Sequence, residues 1–156
     1  MNPIPPDPRG MYFEEFEPGQ EFITAGRTIT ETDVVQFAGL SGDFNQIHVD
    51  EEYSKNTLIG QRIAHGLLIA SITSGLAVQT GVLEGTVIVF REISEWKFIK
   101  PVYLGDTIHA KLRVRETKEM RRTGGGLVTI DIDVINQKME VVNKGSWIVL
   151  IALQPA

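Results

Sequence analysis

The chain has 156 residues, of which 42% are hydrophobic and 22% are charged, which is the composition of one folded domain and not of a disordered chain. Twenty acidic against fifteen basic residues give a formal net charge of −5, which disfavours a nucleic-acid-binding surface. The sequence contains no cysteine, and this excludes disulfides, thiolate metal sites and cysteine nucleophiles.

The N-terminal segment is rich in proline, with four of the chain's seven prolines between positions 3 and 8. Proline fixes the backbone and removes hydrogen-bond donors, and the segment lacks the apolar stretch of a signal peptide. We therefore expect residues 1–12 to form a flexible arm and residues 13–156 to form a single domain. The absence of a targeting signal predicts a cytoplasmic protein.

A first strand and two short helices are expected next. Mixed alternation between Glu21 and Ile29 is compatible with a strand. Thr30 is a hydroxyl N-cap with Asp33 three residues later, and apolar residues then follow at helical spacing until Gly42. Asp50 can cap a second, short helix.

The third predicted helix lies in an uncharged segment. From Ile63 to Leu83 there is no formal charge, but six polar side chains and three glycines make the segment unsuitable for a helix that faces lipid. We expect a buried helix over 63–80 in a soluble core, and no association with membranes.

Beyond Gly85 the pattern changes: residues 108–115 and 128–134 alternate as strands with one solvated face do, whereas 146–152 is apolar throughout and suits a central strand. The predicted strands cover residues 87–98, 108–115, 128–134 and 146–152, with turns at 123–126 and 136–139. Helices that precede antiparallel strands indicate an α+β fold in which a sheet packs on one buried helix.

The segment Ser41-Gly42-Asp43-Phe44-Asn45-Gln46-Ile47-His48-Val49-Asp50 carries a carboxylate and an imidazole five residues apart. Positions i and i+5 share a face in neither a helix nor a strand, so only a turn could bring Asp43 and His48 together, and Gly42 and Asn45 permit one. A converged pair could hold and activate one water. Alternatively, Asp43 and Asn45 make hydrogen bonds of the loop and His48 is a packing residue.

The segment Ala64-His65-Gly66-Leu67 begins the predicted buried helix. A helix N-terminus has unpaired N–H groups, and Gly66 would let a carbonyl group approach the backbone, so the segment suits an oxyanion hole. The alternative is a helix start whose glycine allows tight packing. Ser74, further along, has as its ordinary role a hydrogen bond to a carbonyl one turn earlier.

No metal site or phosphate-binding loop is expected from spacing. His48, His65 and His109 lack the spacing of metal ligands. The glycines at 124–126 precede a strand and not a helix, so they do not form a phosphate loop. The basic segment 111–122 could meet the phosphates of coenzyme A, but a solvated strand face explains it equally, and residues that bind coenzyme A are not assigned.

Three segments together resemble the MaoC-like dehydratases, the family that includes the (R)-specific enoyl-CoA hydratases. They are SGDFNQIHVD at 41–50, AHGLL at 64–68 and WKFIKPVYLGD at 96–106, in the family's order and at its intervals. The similarity extends over about residues 14 to 152. One departure is Gln46, which stands where the family usually has proline and restores a backbone donor in the loop.

The resemblance implies a hotdog fold, in which an antiparallel sheet wraps a long central helix, and a homodimer that could join a larger assembly. It also implies a hydro-lyase that hydrates a trans-2-enoyl thioester to a (3R)-3-hydroxyacyl thioester without a metal or redox cofactor. The residues that the resemblance assigns are Asp43 and His48 as the catalytic pair, Gly66 as the oxyanion hole, and Asn45, Ser74 and His65 as supporting residues.

Two other functions fit the same fold. A hotdog thioesterase would need an acidic residue on or near the central helix, and 63–83 contains none. A non-catalytic subunit that binds acyl thioesters would not need both the acid and the imidazole. The acyl chain and the carrier, coenzyme A or acyl carrier protein, are open at this level.

Overall fold

In the computed structural model, two short strands and four helices occupy the first half of the chain and four long strands the second half. The structure describes residues 8–156 apart from the side chain of Arg121. The helices are α1 (Glu31–Ser41), α2 (Gln46–Val49), α3 (Glu51–Lys55) and α4 (Gly66–Gln79). The strands are β1 (Glu21–Ile23), β2 (Arg27–Thr28), β3 (Val87–Phe98), β4 (Thr107–Met120), β5 (Gly125–Asn136) and β6 (Val141–Ala152). Two short 3₁₀ turns lie at Phe13–Glu15 and Arg121–Thr123.

The strands form one antiparallel sheet in the order β1-β4-β5-β6-β3, and β2 also pairs with β4. The expected first strand is thus two short strands on the same partner. Between them the hydroxyl of Thr24 accepts a hydrogen bond of 2.9 Å from the N–H of Ala110, which replaces the backbone partner of a continuous strand. The prediction of a single strand from Glu21 to Ile29 is wrong for this reason.

The core lies between α4 and the inner face of the sheet. Leu68, Ile69, Ile72 and Leu76 are buried on one face of α4. The alternating residues of β4 and β5 that meet them are Ile108, Ala110, Leu112, Val114, Val128, Ile130, Ile132 and Val134. Each fully buried Leu or Ile contributes about 1.5–3 kcal/mol, so this face sets the position of the helix. The predicted α+β architecture, one long helix on an antiparallel sheet, is confirmed.

The start of α4 differs from the prediction. The helix begins at Gly66 and not at Ile63, because Ile63 pairs with Tyr103 as an isolated β-bridge and the N–H of Ala64 donates to the Val102 carbonyl at 2.8 Å. This extended segment attaches the helix start to the connection between β3 and β4. Among the helices of residues 8–156, none has the length and apolar character needed to cross a bilayer.

The segment before the first 3₁₀ turn is attached to the domain. Gly10 and Met11 donate backbone hydrogen bonds of 2.7 and 2.9 Å to the carbonyls of Glu84 and Val82, and Arg9 forms an ion pair of 3.1 Å with Glu84. Residues 9–11 of the expected arm therefore contact the domain. Residues 1–7 of the predicted arm lie outside the described residues.

Candidate active site

The loop after α1 brings Asp43 and His48 together through two consecutive caps. Gly42 ends α1 with a φ of 79°, a left-handed conformation that favours glycine. The side chain of Asn45 then caps α2 by accepting a hydrogen bond from the N–H of Ile47. Gln46 is the first residue of α2, the position at which proline is readily accommodated, so its replacement of the usual proline keeps the helical turn. The predicted turn between Asp43 and His48 is confirmed, and its second half lies in α2.

His48 has a fixed orientation and a fixed tautomer. Its ring is 7% exposed, and Nδ1 lies 2.8 Å from the carbonyl oxygen of Ile63. A carbonyl can only accept, so Nδ1 carries the hydrogen and Nε2 presents its lone pair. That Nε2 lies 4.0 Å from Oδ2 of Asp43, whose side chain is half exposed.

The environment of His48 favours the neutral imidazole. Burial is the largest influence and lowers the pKa of His48 below its ordinary 6.5, and the nearby His65 lowers this pKa further. The Ile63 carbonyl and the Asp43 carboxylate act in the opposite direction without reversing the shift. At neutral pH the ring is therefore an uncharged acceptor that can take a proton.

His65 connects both members of the pair. Its Nε2 donates to the backbone oxygen of Asp43 at 2.9 Å, and its ring stacks on that of His48 with centroids 3.8 Å apart. The rings of Phe37 and His65 also make an edge-type contact, with centroids 5.0 Å apart. His65 is buried, and its Nδ1 has no hydrogen-bond partner among the described residues. The residue expected only as a support thus holds the backbone of one catalytic candidate and the ring of the other.

Asp43, His48 and His65 also gather three potential metal ligands, with one donor atom from each lying within 4.8 Å of the others. Sequence spacing did not predict this proximity. A bound ion has to lie close to the plane of each imidazole that ligates it. The two rings are stacked with centroids 3.8 Å apart and a tilt of only 29°, so their in-plane lone pairs do not converge on one ion at the roughly 2.0–2.1 Å of a zinc–nitrogen bond. The arrangement therefore fits proton chemistry better than chelation.

Gly66 is the first residue of α4, so its N–H has no partner within the helix. The N-cap residue His65 makes no side-chain capping bond to this turn. A Cβ at Gly66 would lie 2.6 Å from the ring of Phe98, which packs directly on the glycine. The tight packing that the sequence offered as one alternative is therefore present, and so is the N–H without a helical partner that the other alternative needs.

These groups line one cavity of about 410 Å³ at the start of α4, within the usual range for a small-molecule site. Its wall is mainly apolar, and its polar members are few. The apolar lining includes Ile47, Ile59, Ile63, Phe98, Ile99 and Val102, and the polar lining Asp43, His48, His65, Lys100 and Asn143. An apolar wall with few polar groups suits an acyl thioester. Asn143 was not anticipated from the sequence, because only the pairing of β6 with β3 brings it here.

Ser74 does not join this cavity. It lies on an exposed part of α4 and lines a separate apolar cavity of about 550 Å³ with Phe90 and Trp147. Leu67 lines both cavities. Within the single chain, Ser74 therefore does not line the cavity in which the resemblance gives it a supporting role.

A long helix on one antiparallel sheet, with an Asp/His pair at the helix start, defines a protein of the hotdog class, and solved structures with this fold match the chain closely. The family described as "MaoC like domain" matches residues 14–136. The chain belongs to this family.

Three relatives illustrate the similarity. Protein MaoC from Klebsiella aerogenes is 40% identical over 113 residues, which are 72% of this chain but 33% of that protein, so the chain spans a third of that relative's length. The (R)-specific enoyl-CoA hydratase of Rhodospirillum rubrum is 40% identical over 103 residues, 66% of this chain and 69% of that one. The unliganded structure of the R-hydratase PhaJ1 from Pseudomonas aeruginosa is 29% identical with a TM-score of 0.79, over 93% of this chain and 88% of that chain.

Proposed function

We propose that the protein is a hydro-lyase that adds water across the double bond of a trans-2-enoyl thioester and forms a (3R)-3-hydroxyacyl thioester, or catalyses the reverse reaction. The observation that carries the proposal is the distance of 4.0 Å between His48 Nε2 and Asp43 Oδ2, in an apolar cavity beside the N–H of Gly66. The similarity to an (R)-specific enoyl-CoA hydratase supports the same reaction.

The separation of the two acceptors suits a single water. A water that donates two hydrogen bonds of about 2.8 Å holds its acceptors about 4 to 4.5 Å apart. Asp43 Oδ2 can accept because it is a carboxylate oxygen. His48 Nε2 can also accept, because the Ile63 carbonyl holds the ring proton on Nδ1. In our proposal the water oxygen lies between them and faces C3 of the substrate.

The reaction then balances with the groups of this site. His48 takes one proton of the water as the oxygen bonds to C3, and Asp43 holds the remaining O–H. The electrons of the double bond move toward the thioester carbonyl, and the proton on His48 moves to C2 on the same face. One water is added, no net proton is released, and His48 returns to its neutral form.

Negative charge develops on the thioester oxygen during this addition. The N–H of Gly66 is unpaired within the helix and lies at the positive end of α4, so it is suited to stabilise that charge. Proton transfers and one oxyanion account for the reaction, and we propose that it needs no metal or redox cofactor.

A homodimer is part of the proposal. Strand β3 lies at the edge of the sheet and exposes Val89, Phe90, Ile93 and Phe98, each 42–55% accessible. An apolar edge strand of this length is usually covered by a partner. A cytoplasmic location, a larger assembly of dimers and the choice between coenzyme A and acyl carrier protein stay predictions.

The activity is tested by following the ultraviolet absorbance of crotonyl-CoA with the purified protein, next to an assay for free thiol. Loss of the enoyl absorbance without thiol release, and a (3R) product, is the expected result. Thiol release would instead indicate a thioesterase. An unchanged absorbance with both crotonyl-CoA and octenoyl-CoA would contradict the proposal and favour a subunit that only binds acyl thioesters.

A further inference from the structure

Asn143 lies on β6, beside the proposed reaction centre. It is the cross-strand partner of Phe98 on β3 and of Val134 on β5. Phe98 in turn packs on Gly66, so Asn143 is the cross-strand neighbour of the residue whose ring covers the helix start. Its side chain lines the same cavity as Asp43 and is 2% exposed.

The amide of Asn143 has an unused donor. Its Nδ2 is buried and has no hydrogen-bond partner among residues 8–156. A buried donor without a partner costs stability, and almost all such groups in proteins are paired. Of the buried side-chain atoms in the described residues that lack a partner, only this Nδ2 and Nδ1 of His65 belong to residues that line the cavity.

A second buried asparagine shows how the chain satisfies such a group elsewhere. Asn136 donates from Nδ2 to Glu140 at 2.9 Å, and its Oδ1 accepts from the N–H groups of Lys138 and Glu140 at 2.9 and 3.0 Å. Asn136 therefore pairs within its own turn. Asn143 has no such partner for its Nδ2, and it lines a cavity in which a bound molecule can supply one.

We infer that Asn143 is a substrate-binding residue that donates a hydrogen bond to a carbonyl oxygen of the acyl thioester. A neutral amide donor suits a neutral carbonyl acceptor. The acceptor is either the thioester carbonyl or an amide carbonyl of the carrier's pantetheine arm. The inference rests on the proposed function, because it takes an acyl thioester as the molecule in the cavity.

Asn143→Leu tests the inference, because leucine keeps the approximate shape and removes the donor. The affinity for butyryl-CoA, a saturated thioester that cannot be hydrated, is measured by calorimetry for the full chain and this variant. We expect the Kd to rise about tenfold or more, while the melting temperature stays the same or increases because an unpaired buried donor is gone. Lys144→Ala, one residue along β6 on its exposed side, is the control and should change neither quantity.

The source of the carbonyl is resolved with butyl-CoA, the thioether that lacks the thioester oxygen. If Asn143 binds the thioester carbonyl, the variant and the original chain bind butyl-CoA equally. If Asn143 binds an amide of the arm, the variant binds butyl-CoA about tenfold more weakly as well.

An unchanged Kd for butyryl-CoA in Asn143→Leu would overturn the inference. So would a lower melting temperature or a changed oligomeric state in size-exclusion chromatography, since both indicate a structural role. If the leucine variant does not fold, Asn143→Ala carries the same expectation for affinity. A protein that binds butyryl-CoA but leaves crotonyl-CoA unchanged would contradict the proposed reaction alone, whereas a protein that binds neither would contradict both.

Discussion

The outer face of the sheet and the cavity at the start of α4 differ in how their polar side chains are paired. On the outer face Arg115 pairs with Asp131 at 2.6 Å, and Ser146 bonds to both. In the cavity the partners of His65 Nδ1 and Asn143 Nδ2 are missing from the described residues, although both side chains are buried. Paired charges in water contribute little, whereas unpaired polar atoms in an apolar cavity are costly unless a ligand meets them.

The largest effect is expected from replacing either member of the proposed catalytic pair, Asp43 and His48. Asp43→Asn and His48→Gln should each lower kcat for crotonyl-CoA by about 10²–10⁴-fold, because an amide neither carries the charge of the carboxylate nor takes up a proton as the imidazole does. Absorbance kinetics measure this loss. Unfolding in urea should show folded variants, and a variant that keeps more than half of the original kcat would remove that residue from the mechanism.

A smaller loss is expected for Gly66→Ala. The new Cβ would lie 2.6 Å from the ring of Phe98, so the ring must move within the cavity. We expect kcat/KM to fall about ten- to hundredfold, because a displacement of this kind misplaces the substrate.

Gly39→Ala is the matched control for that variant. Gly39 lies within α1 and has open space around the built Cβ. This change should stabilise the protein by about 0.5–1 kcal/mol in urea unfolding and leave kcat/KM unchanged. Equal activity losses in both variants would contradict the role given to Gly66.

The pH dependence tests the buried imidazole. Because the folded-state pKa of His48 lies below 6.5, the unfolded chain binds this proton first as the pH falls. The free energy of unfolding should therefore decrease as the pH drops through 6.5 toward the lowered pKa, and His48→Gln should reduce that decrease. Urea unfolding at several pH values gives the two slopes, and identical slopes would contradict the assignment. In the pH profile of kcat/KM, the midpoint of the acid limb should likewise lie below the ordinary histidine pKa of 6.5.

The smallest effect is expected on the outer face. Arg115→Ala breaks an ion pair whose side chains are 45% and 38% exposed, so the loss of stability should stay below about 1 kcal/mol and shrink in high salt. The kcat for crotonyl-CoA should not change. A loss of activity comparable with that of Asp43→Asn would contradict the distinction between the outer face of the sheet and the cavity.

Local rules predicted much of the fold. Strands β4 and β5 follow from alternation, and the Thr30 cap with Asp33 and the end of α1 at Gly42 follow from capping chemistry, all of which act over a few residues. The start of α4 did not follow, because residues 63–65 are held extended by a distant partner, Tyr103.

The site was predicted in part. The approach of Asp43 to His48 depends on a short loop, and the sequence indicated it. The stack of His65 on His48 and the arrival of Asn143 from β6 depend on tertiary packing that no spacing reveals. The resemblance assigned Ser74 to this site, but in the single chain Ser74 lines a separate cavity. This difference also depends on tertiary packing.

The central claim is that Asp43 and His48 hold one water and that its proton returns to the same face of the substrate. Hydration of crotonyl-CoA in D₂O, with the product examined by NMR, tests it directly. The account predicts a (3R)-hydroxyl group with deuterium at C2 on the same face. Deuterium on the opposite face, or a (3S) product, would contradict it.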